Sequence, residues 1–277
     1  MKKPTTLKES LKEKLTKKEL ENLVASYDII GDIAIIEIPA ELEKKEKLIA
    51  ETLLDLHKQI KVVVKKAGIH RGIYRRQKLK ILAGERRKTT EYKENNVRIR
   101  LHAEDVYFSP RLATERKRIA ELIKPEEEIL VMFSGVAPYP LVIAKNTKAK
   151  EVYAIEINPI AHKFALENVK LNKTENIKLF RGDVRIVIPT IKKKFDRIIM
   201  PLPLTGENFL DTALTAANKK AVVHFYDFLK EEEFNLAKEK IKKACDSAKR
   251  KFKILRIVKA GQIKPREYRV CIDFSVY

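Results

Sequence analysis

The 277-residue chain is poor in cysteine, histidine and glycine, with 2, 5 and 8 of them. The two cysteines, Cys245 and Cys271, form neither a disulfide framework nor a metal-ligand spacing. They fit a reducing cytosol with free or buried thiols. With so few histidines and no His/Cys cluster along the sequence, no metal site is expected. Long apolar runs are missing too, none approaching the roughly 18 residues of a membrane span. Met1-Lys2-Lys3-Pro4-Thr5 leads into charged residues rather than an apolar signal core. The expectation is a cytoplasmic protein with no membrane association. Scarce glycine beside abundant Lys, Glu and Arg also suits a heat-adapted protein.

Acidic residues are the other shortage. Asp and Glu total 38 against 59 Lys and Arg, a formal net charge of +21. An excess of this size argues for a polyanionic partner, with nucleic acid ahead of an anionic membrane. The excess is concentrated. Residues 61–100 hold 14 basic and 3 acidic side chains, a local net of +11. Tyr74 and Tyr92 lie among them and could stack on unpaired bases. With 44% hydrophobic residues the chain is globular over most of its length.

Hydrophobic periodicity divides the chain near residue 108. Residues 7–25 read as a surface helix and 28–38 as a hairpin turning at Gly31-Asp32. Residues 41–57 are helical, and short strands follow at 62–64, 79–82 and 97–101. Residues 1–108 are therefore expected to form a small α+β domain. From Thr114 the pattern becomes helix, then repeated strand, loop and helix through strands near 129–133, 151–155, 177–180 and 195–200. That alternation predicts a parallel, doubly wound sheet. A strand at 221–226, a helix at 231–249 and an antiparallel pair at 252–258 and 268–276 complete residues 109–277. A parallel sheet finishing in an antiparallel hairpin is the layout of Rossmann-like methyltransferases.

Chemistry-bearing residues fall at the ends of the predicted parallel strands. Phe133-Ser134-Gly135-Val136-Ala137-Pro138 follows the first strand and opens a helix, where exposed N–H groups can hold a ligand. Glu156 ends the second strand, 21 residues after Gly135, where an acid accepts hydrogen bonds from a ribose diol. Asp183 follows the third strand and could accept from an adenine amino group. Met200-Pro201-Leu202-Pro203 ends the fourth.

The segment Val106-Tyr107-Phe108-Ser109-Pro110-Arg111-Leu112-Ala113-Thr114-Glu115-Arg116 resembles the archaeal–eukaryotic tRNA (guanine-N1)-methyltransferases that act at position 37. Gly72-Ile73-Tyr74-Arg75, Met132 to Pro138, Ala154 to Pro159 and Met200 to Pro203 carry the resemblance further, over roughly residues 25–277. It implies S-adenosylmethionine (SAM) as methyl donor and the anticodon stem-loop of tRNA as partner, bound by a monomer in the α+β domain. Implied cofactor contacts are Glu156 at the ribose, Asp183 and Val184 at the adenine, and Arg116 at the methionine carboxylate. Phe133, Gly135, Val136, Pro138, Ile157 and Pro201 would line that pocket. The resemblance makes Glu115 the general base and Arg75 the partner of guanine O6. Pro201 and Pro203 would shape the target-base pocket, and Arg71, Tyr74, Arg76 and Arg111 would touch RNA.

That assignment suits the reaction. Guanine N1 carries a proton at neutral pH and is a poor nucleophile until a base removes it. The charge then developing on O6 is best met by a fixed guanidinium.

Several positions depart from the family pattern. Val131 stands where an acid is usual, Ala137 where the third position of the turn is usually Gly, and Pro201 where most members have Asn. Proline offers no side-chain amide, so backbone carbonyls are what remain there to meet the base. The Pro-Leu-Pro loop resembles an archaeal branch acting also on 4-demethylwyosine, which implies a second substrate. The chain begins about where the second domain of many archaeal relatives begins. The resemblance thus implies no counterpart to their elbow-inspecting module and a weak dependence on tRNA tertiary structure. Two alternatives stand beside this reading. One is a wyosine-pathway aminocarboxypropyltransferase using the same cofactor, against which Arg111 and Glu115 speak. The other is a non-catalytic RNA-binding protein, favoured by Val131 and Pro201.

Overall fold

A computed structural model describes residues 6–68 and 72–277. Its residues cluster into two units, Met1–Lys93 with Arg98–Pro110, and Glu94–Val97 with Arg111–Tyr277.

The first unit opens with α1 (Leu7–Ser10) and α2 (Lys17–Asn22). Thr6 and Thr16 each cap a helix, and Glu9 and Glu19 return the bond to the cap backbone. Two such capping boxes ten residues apart start two short helices. This corrects the single surface helix expected over 7–25. Leu7, Leu11, Leu15 and Leu23 are buried rather than superficial. Strands β1 (Asp28–Ile30) and β2 (Ile33–Ile36) form the expected hairpin, and Gly31 at φ 59° makes its turn. A Cβ at Gly31 would lie 2.2 Å from the Thr90 hydroxyl, so no larger residue fits. A 3₁₀ turn (Ala40–Lys45) leads into α3 (Glu46–Leu56). β3 (Val62–Lys66) then pairs parallel to β2, and β4 (Leu79–Gly84) antiparallel to β3. The strands β5 (Thr89–Glu94) and β6 (Val97–His102) make a separate two-stranded sheet. Charge-rich β5, with no clean alternation, gave no strand signal in the sequence.

The second unit holds α4 (Ala113–Glu121), β7 (Glu128–Val131), α5 (Pro138–Asn146), β8 (Glu151–Glu156), α6 (Pro159–Asn172), β9 (Ile177–Arg181), α7 (Val184–Ile191) and β10 (Phe195–Met200). It continues through α8 (Leu210–Ala216), β11 (Ala217–Lys230), α9 (Phe234–Ser247), β12 (Phe252–Lys264) and β13 (Glu267–Val276). The sheet order is β12-β13-β11-β10-β7-β8-β9. All neighbours from β11 to β9 are parallel, and β13 inserts antiparallel between β11 and β12. This is the Rossmann-like methyltransferase sheet anticipated from the alternation. The chain runs outward from β7 through β8 to β9, then returns to β10 on the other side of β7. Carboxyl ends of strands at such a reversal form the crevice in which open α/β sheets bind ligands. Helix α8 was not foreseen. Both cysteines are free and buried. No helix among the described residues is long and apolar enough to cross a membrane.

Lys193, just ahead of β10, ties the amino ends of β7 and β8, contacting Glu128 at 2.7 Å and Glu151 at 3.1 Å. Lys178 approaches Glu151 at 2.5 Å, and both lysines lie 5.1 Å from the Tyr153 ring centre. Lys178 first, then Lys193, lowers the Glu151 pKa from an ordinary 4.5 to about 2. A depressed carboxylate contributes stability above its unfolded value and loses it as the pH falls through its folded value. The stability gap between wild type and Glu151→Gln, read from denaturant midpoints, is therefore expected to be constant above about pH 4.5 and to close towards pH 2.

Candidate active site

The loop from β7 to α5 is built on positive backbone angles, with Phe133 at φ 55°, Gly135 at 59° and Ala137 at 68°. Ala137 takes the left-handed conformation at the helix N-cap, ahead of Pro138 at the first helical position. The alanine thus keeps the geometry a glycine would adopt, at a cost of about 1 kcal/mol or more in backbone strain. Glu156, buried at the end of β8, braces the loop. Its Oε2 accepts from the Gly135 N–H at 2.6 Å and its Oε1 from the Asn158 N–H at 2.7 Å. Burial raises its pKa, against the pull of these backbone donors. Ile157 follows it, half-buried, and Asn158 caps α6.

Asp183 caps α7 through the Arg185 N–H and is also gripped by the Arg185 guanidinium, at 3.0 and 2.5 Å. This ion pair depresses the Asp183 pKa. Arg185 lies over the Phe209 ring, which meets Phe133 edge to face at 4.9 Å between centroids. Val184 and Val136 are buried beneath. Pro201 and Pro203 follow β10, and the Leu202 N–H bonds back to Met200 at 2.8 Å, folding the loop tightly.

Gly135, Glu156, Asp183 and Pro201 thus come from the adjacent carboxyl ends of β7, β8, β9 and β10. Their arrangement fits a nucleoside-bearing cofactor. Ser134 Oγ adds an independent sign: it is buried and finds no protein partner. Such a hydroxyl calls for an external polar group. Val131 is fully buried between its neighbours and contributes no polar contact.

Arg116, expected at the methionine carboxylate, has a protein partner. Arg116 is 2% exposed and forms a two-pronged ion pair with Glu94, at 2.5 Å on each prong. The Glu94 side chain is itself 3% exposed. A guanidinium neutralised by a buried carboxylate has little charge to offer a second one. The Arg116 guanidinium is thus engaged by Glu94 within the fold.

Glu115, in the first turn of α4, is 5% exposed. Arg118 donates to both its oxygens at 2.7 Å, and the Tyr226 hydroxyl donates to Oε1 at 2.6 Å. Tyr226 in turn accepts from Tyr139 at 3.0 Å. Arg118 also reaches Asp273 at 2.7 Å. Asp273 bonds His224 Nδ1 at 2.6 Å, and His224 Nε2 meets the Arg197 guanidinium at 2.9 Å. A guanidinium can only donate, so His224 Nε2 accepts and Nδ1–H donates to Asp273. Burial lowers the His224 pKa, in keeping with a neutral ring. Glu127 accepts both prongs of Arg197, at 2.8 and 2.9 Å.

Sequence reasoning missed Tyr139, His224, Tyr226 and Asp273. The available signal was polar residues alternating inside strands that otherwise read as core. His224 faces Asp273 across the β11–β13 ladder and Tyr226 faces Cys271. His224, Cys271 and Asp273 also bring potential metal-ligand atoms within 4.8 Å, a cluster the linear sequence hid. Arg118 and Arg197 already occupy its acid and imidazole, and their two positive charges oppose a cation. A groove of about 490 Å³ opens beside Glu115, lined by Arg111 and Arg118 on one side and Lys259 and Gly261 on the other.

In the first unit, Arg75 sits at φ 51°, its N–H bonded to Gly72 and its guanidinium 5.8 Å from the Tyr107 ring centre. Arg76 lies over Tyr74. Arg71 falls outside the described residues. Much of the basic stretch is internally matched. Lys65 and Lys80 bind Glu46, Lys66 binds Glu37, Arg87 binds Asp32, Lys88 binds Glu104 and Arg98 binds Glu91. Lys61, Lys78, Arg86 and Lys93 remain exposed.

Residues 90–255 match the family model for the TRM5/TYW2 methyltransferase domain, and residues 7–88 that for the TYW2 N-terminal domain. The chain belongs to the TRM5/TYW2 methyltransferase family. It is 40% identical to the tRNA (guanine(37)-N(1))-methyltransferase Trm5b of Pyrococcus abyssi, over 92% of this chain and 76% of that protein. It is 36% identical to the tRNA (guanine(37)-N(1))/4-demethylwyosine(37)-methyltransferase Taw22 of Nanoarchaeum equitans, over 90% and 98%. Among solved structures, the complex of aTrm5 and tRNALeu superposes with a TM-score of 0.87 at 35% identity, covering 100% of this chain and 79% of that one. The family uses SAM, for which the strand-end residues are suited.

The Glu94–Arg116 pair allows a direct test of the framework role. Glu94→Gln leaves a buried guanidinium uncompensated and is expected to destabilise the fold by about 3–5 kcal/mol. Chemical denaturation measures it; an unchanged midpoint would return Arg116 to ligand binding.

Proposed function

We propose that the protein methylates N1 of guanosine 37 in tRNA, using SAM, as a monomer in the cytoplasm. The observation that carries this reading is the placement of Glu115. Its carboxylate is buried, fixed on three sides and borders an open groove. Oε1 accepts two hydrogen bonds and Oε2 one, so among the described residues Oε2 keeps a lone pair for the N1 proton.

SAM supplies an electrophilic methyl group when bound. Glu156 and Asp183 would hold its ribose and adenine, Phe133, Val136, Pro138, Ile157 and Val184 would enclose it, and Gly135 and Ser134 would offer backbone and hydroxyl groups. Glu115 takes the N1 proton, the N–H bonding pair stays on N1 and delocalises onto O6, and Arg75 stabilises the O6 charge. The deprotonated N1 is then the nucleophile that would accept the methyl group of SAM, with S-adenosylhomocysteine as the leaving group. Positioning of the two reactants supplies much of the acceleration. Pro201 and Pro203 bound the target-base pocket, where Pro201 offers a carbonyl and no donor. Tyr74, Arg76 and Arg111, with Arg71, contact the anticodon stem-loop. This pocket chemistry also admits 4-demethylwyosine, and the similarity to Taw22 supports that second substrate.

A second reading, aminocarboxypropyl transfer from SAM, is favoured by the TYW2 N-terminal match over residues 7–88. Methyl-labelled and carboxyl-labelled SAM separate the two.

Mass spectrometry of nucleosides should reveal 1-methylguanosine from a guanosine-37 transcript, and one added methyl on tRNA bearing 4-demethylwyosine. Glu115→Gln and Arg75→Ala are expected to reduce the rate at least 100-fold. Transfer of carboxyl label, or full activity in Glu115→Gln, overturns the assignment.

Salt dependence distinguishes contacting cations from matched ones. The logarithm of tRNA affinity should fall with the logarithm of salt by roughly 0.7–0.9 per phosphate contact. Lys78→Ala and Arg86→Ala should each flatten that slope by about one contact, whereas Lys65→Ala, whose charge Glu46 already neutralises, should leave it unchanged.

A further inference from the structure

Arg118 is one cation between two buried acids. Its Nε and Nη2 hold Glu115 at 2.7 Å, and its Nη1 holds Asp273 at 2.7 Å. The Glu115 and Asp273 side chains are 4% and 5% exposed. A carboxylate gripped by an undivided guanidinium is a poor base, because the positive charge favours its ionised form. Here part of that charge is engaged by Asp273. Asp273 is itself held ionised: despite its burial its pKa is depressed, by the His224 Nδ1–H bond and by Arg118. Tyr226 acts on Glu115 from the other side, donating at 2.6 Å and stabilising the carboxylate.

We propose that Asp273 and Tyr226 are positioning residues that set the basicity of Glu115 in opposite directions, Asp273 by dividing Arg118 and Tyr226 by hydrogen-bonding Oε1. The inference rests on Glu115 being the base that takes the N1 proton. Other ionisable groups face this cluster from every packed element. They are Arg116 on α4, Tyr139 on α5, Arg197 on β10 with its partner Glu127, His224 on β11 and Cys271 on β13, with the exposed Arg111, Lys117, Glu121 and, on β12, Lys259 around the groove. Burial raises the Tyr139, Tyr226 and Cys271 values above their ordinary ones, so these three remain neutral where the enzyme works. His224 is neutral by its bond to Arg197. The charges at issue are thus Glu115, Arg118 and Asp273, beside the two closed pairs Arg116–Glu94 and Arg197–Glu127.

The arrangement has a sign that a purely structural role lacks. In Asp273→Asn the guanidinium charge falls wholly on Glu115. The acidic limb of the single-turnover rate against pH should move down by roughly one pH unit, with a lower plateau. In Tyr226→Phe the carboxylate loses a donor, and the limb should move up. Full-length protein, a guanosine-37 transcript and SAM are used, with circular dichroism to confirm folding and calorimetry to confirm SAM binding. A limb that stays in place, or moves the same way in both variants, overturns the proposal. Should Asp273→Asn fail to fold, Tyr226→Phe decides it alone, since an unmoved limb there is enough to reject it. Glu115→Gln separates the two levels. Full activity in that variant removes the base itself, whereas lost activity beside unmoved limbs in the other two leaves the base standing and removes its tuning.

Discussion

Two buried carboxylates, Glu115 and Asp273, depend on the single guanidinium of Arg118, and much of the catalytic unit is arranged to make that tolerable. Buried charge is stable only when paired and hydrogen-bonded. The pairing therefore extends outward: from Asp273 to His224, from His224 to Arg197, from Arg197 to Glu127 ahead of β7, and from Glu115 through Tyr226 to Tyr139 on α5. Helix α4 and strands β7, β10, β11 and β13 are tied by this network as well as by apolar packing. The antiparallel insertion of β13 is what makes it possible, because it sets Asp273 directly opposite His224.

The cofactor side of the site obeys a different constraint. Four parallel strands end side by side, and their loops meet at one crevice. Glu156 joins two turns there with one carboxylate, accepting from Gly135 and Asn158. The loop keeps its left-handed turn although Ala137 replaces the usual glycine, because Pro138 and the following helix fix the exit. Val131 takes no part in polar contacts. The unsatisfied Ser134 hydroxyl is the polar group the loop itself contributes.

The net charge of +21 also acquires structure. Many of the lysines and arginines in residues 61–100 are spent on acids that lie far from them in sequence, such as Glu37, Glu46 and Glu104. The exposed remainder, including Lys78 and Arg86, is what stays available for a phosphate backbone. Counting charge along a stretch overstates the binding surface, since it cannot see which cations are already matched.

Local rules carried far in this chain. Period and length marked the strands and helices of the parallel sheet, because a buried parallel strand needs an apolar run and a covering helix needs a 3.6-residue repeat. Turn-forming Gly135, acidic Glu156 and Asp183 and the Pro201–Pro203 loop were legible because a βα crossover puts ligand groups at strand ends. The sequence segment around Glu115 named the family. Two short capped helices in place of one, the charge-rich strand β5 and helix α8 escaped, since nothing local in them outweighs a competing pattern. The partnership of Arg116 with Glu94, and the meeting of Glu115, Arg118, His224, Tyr226 and Asp273, were decided by tertiary structure alone. Their partners lie up to 155 residues apart, and only sheet register and helix packing determine which buried charges share a counterion.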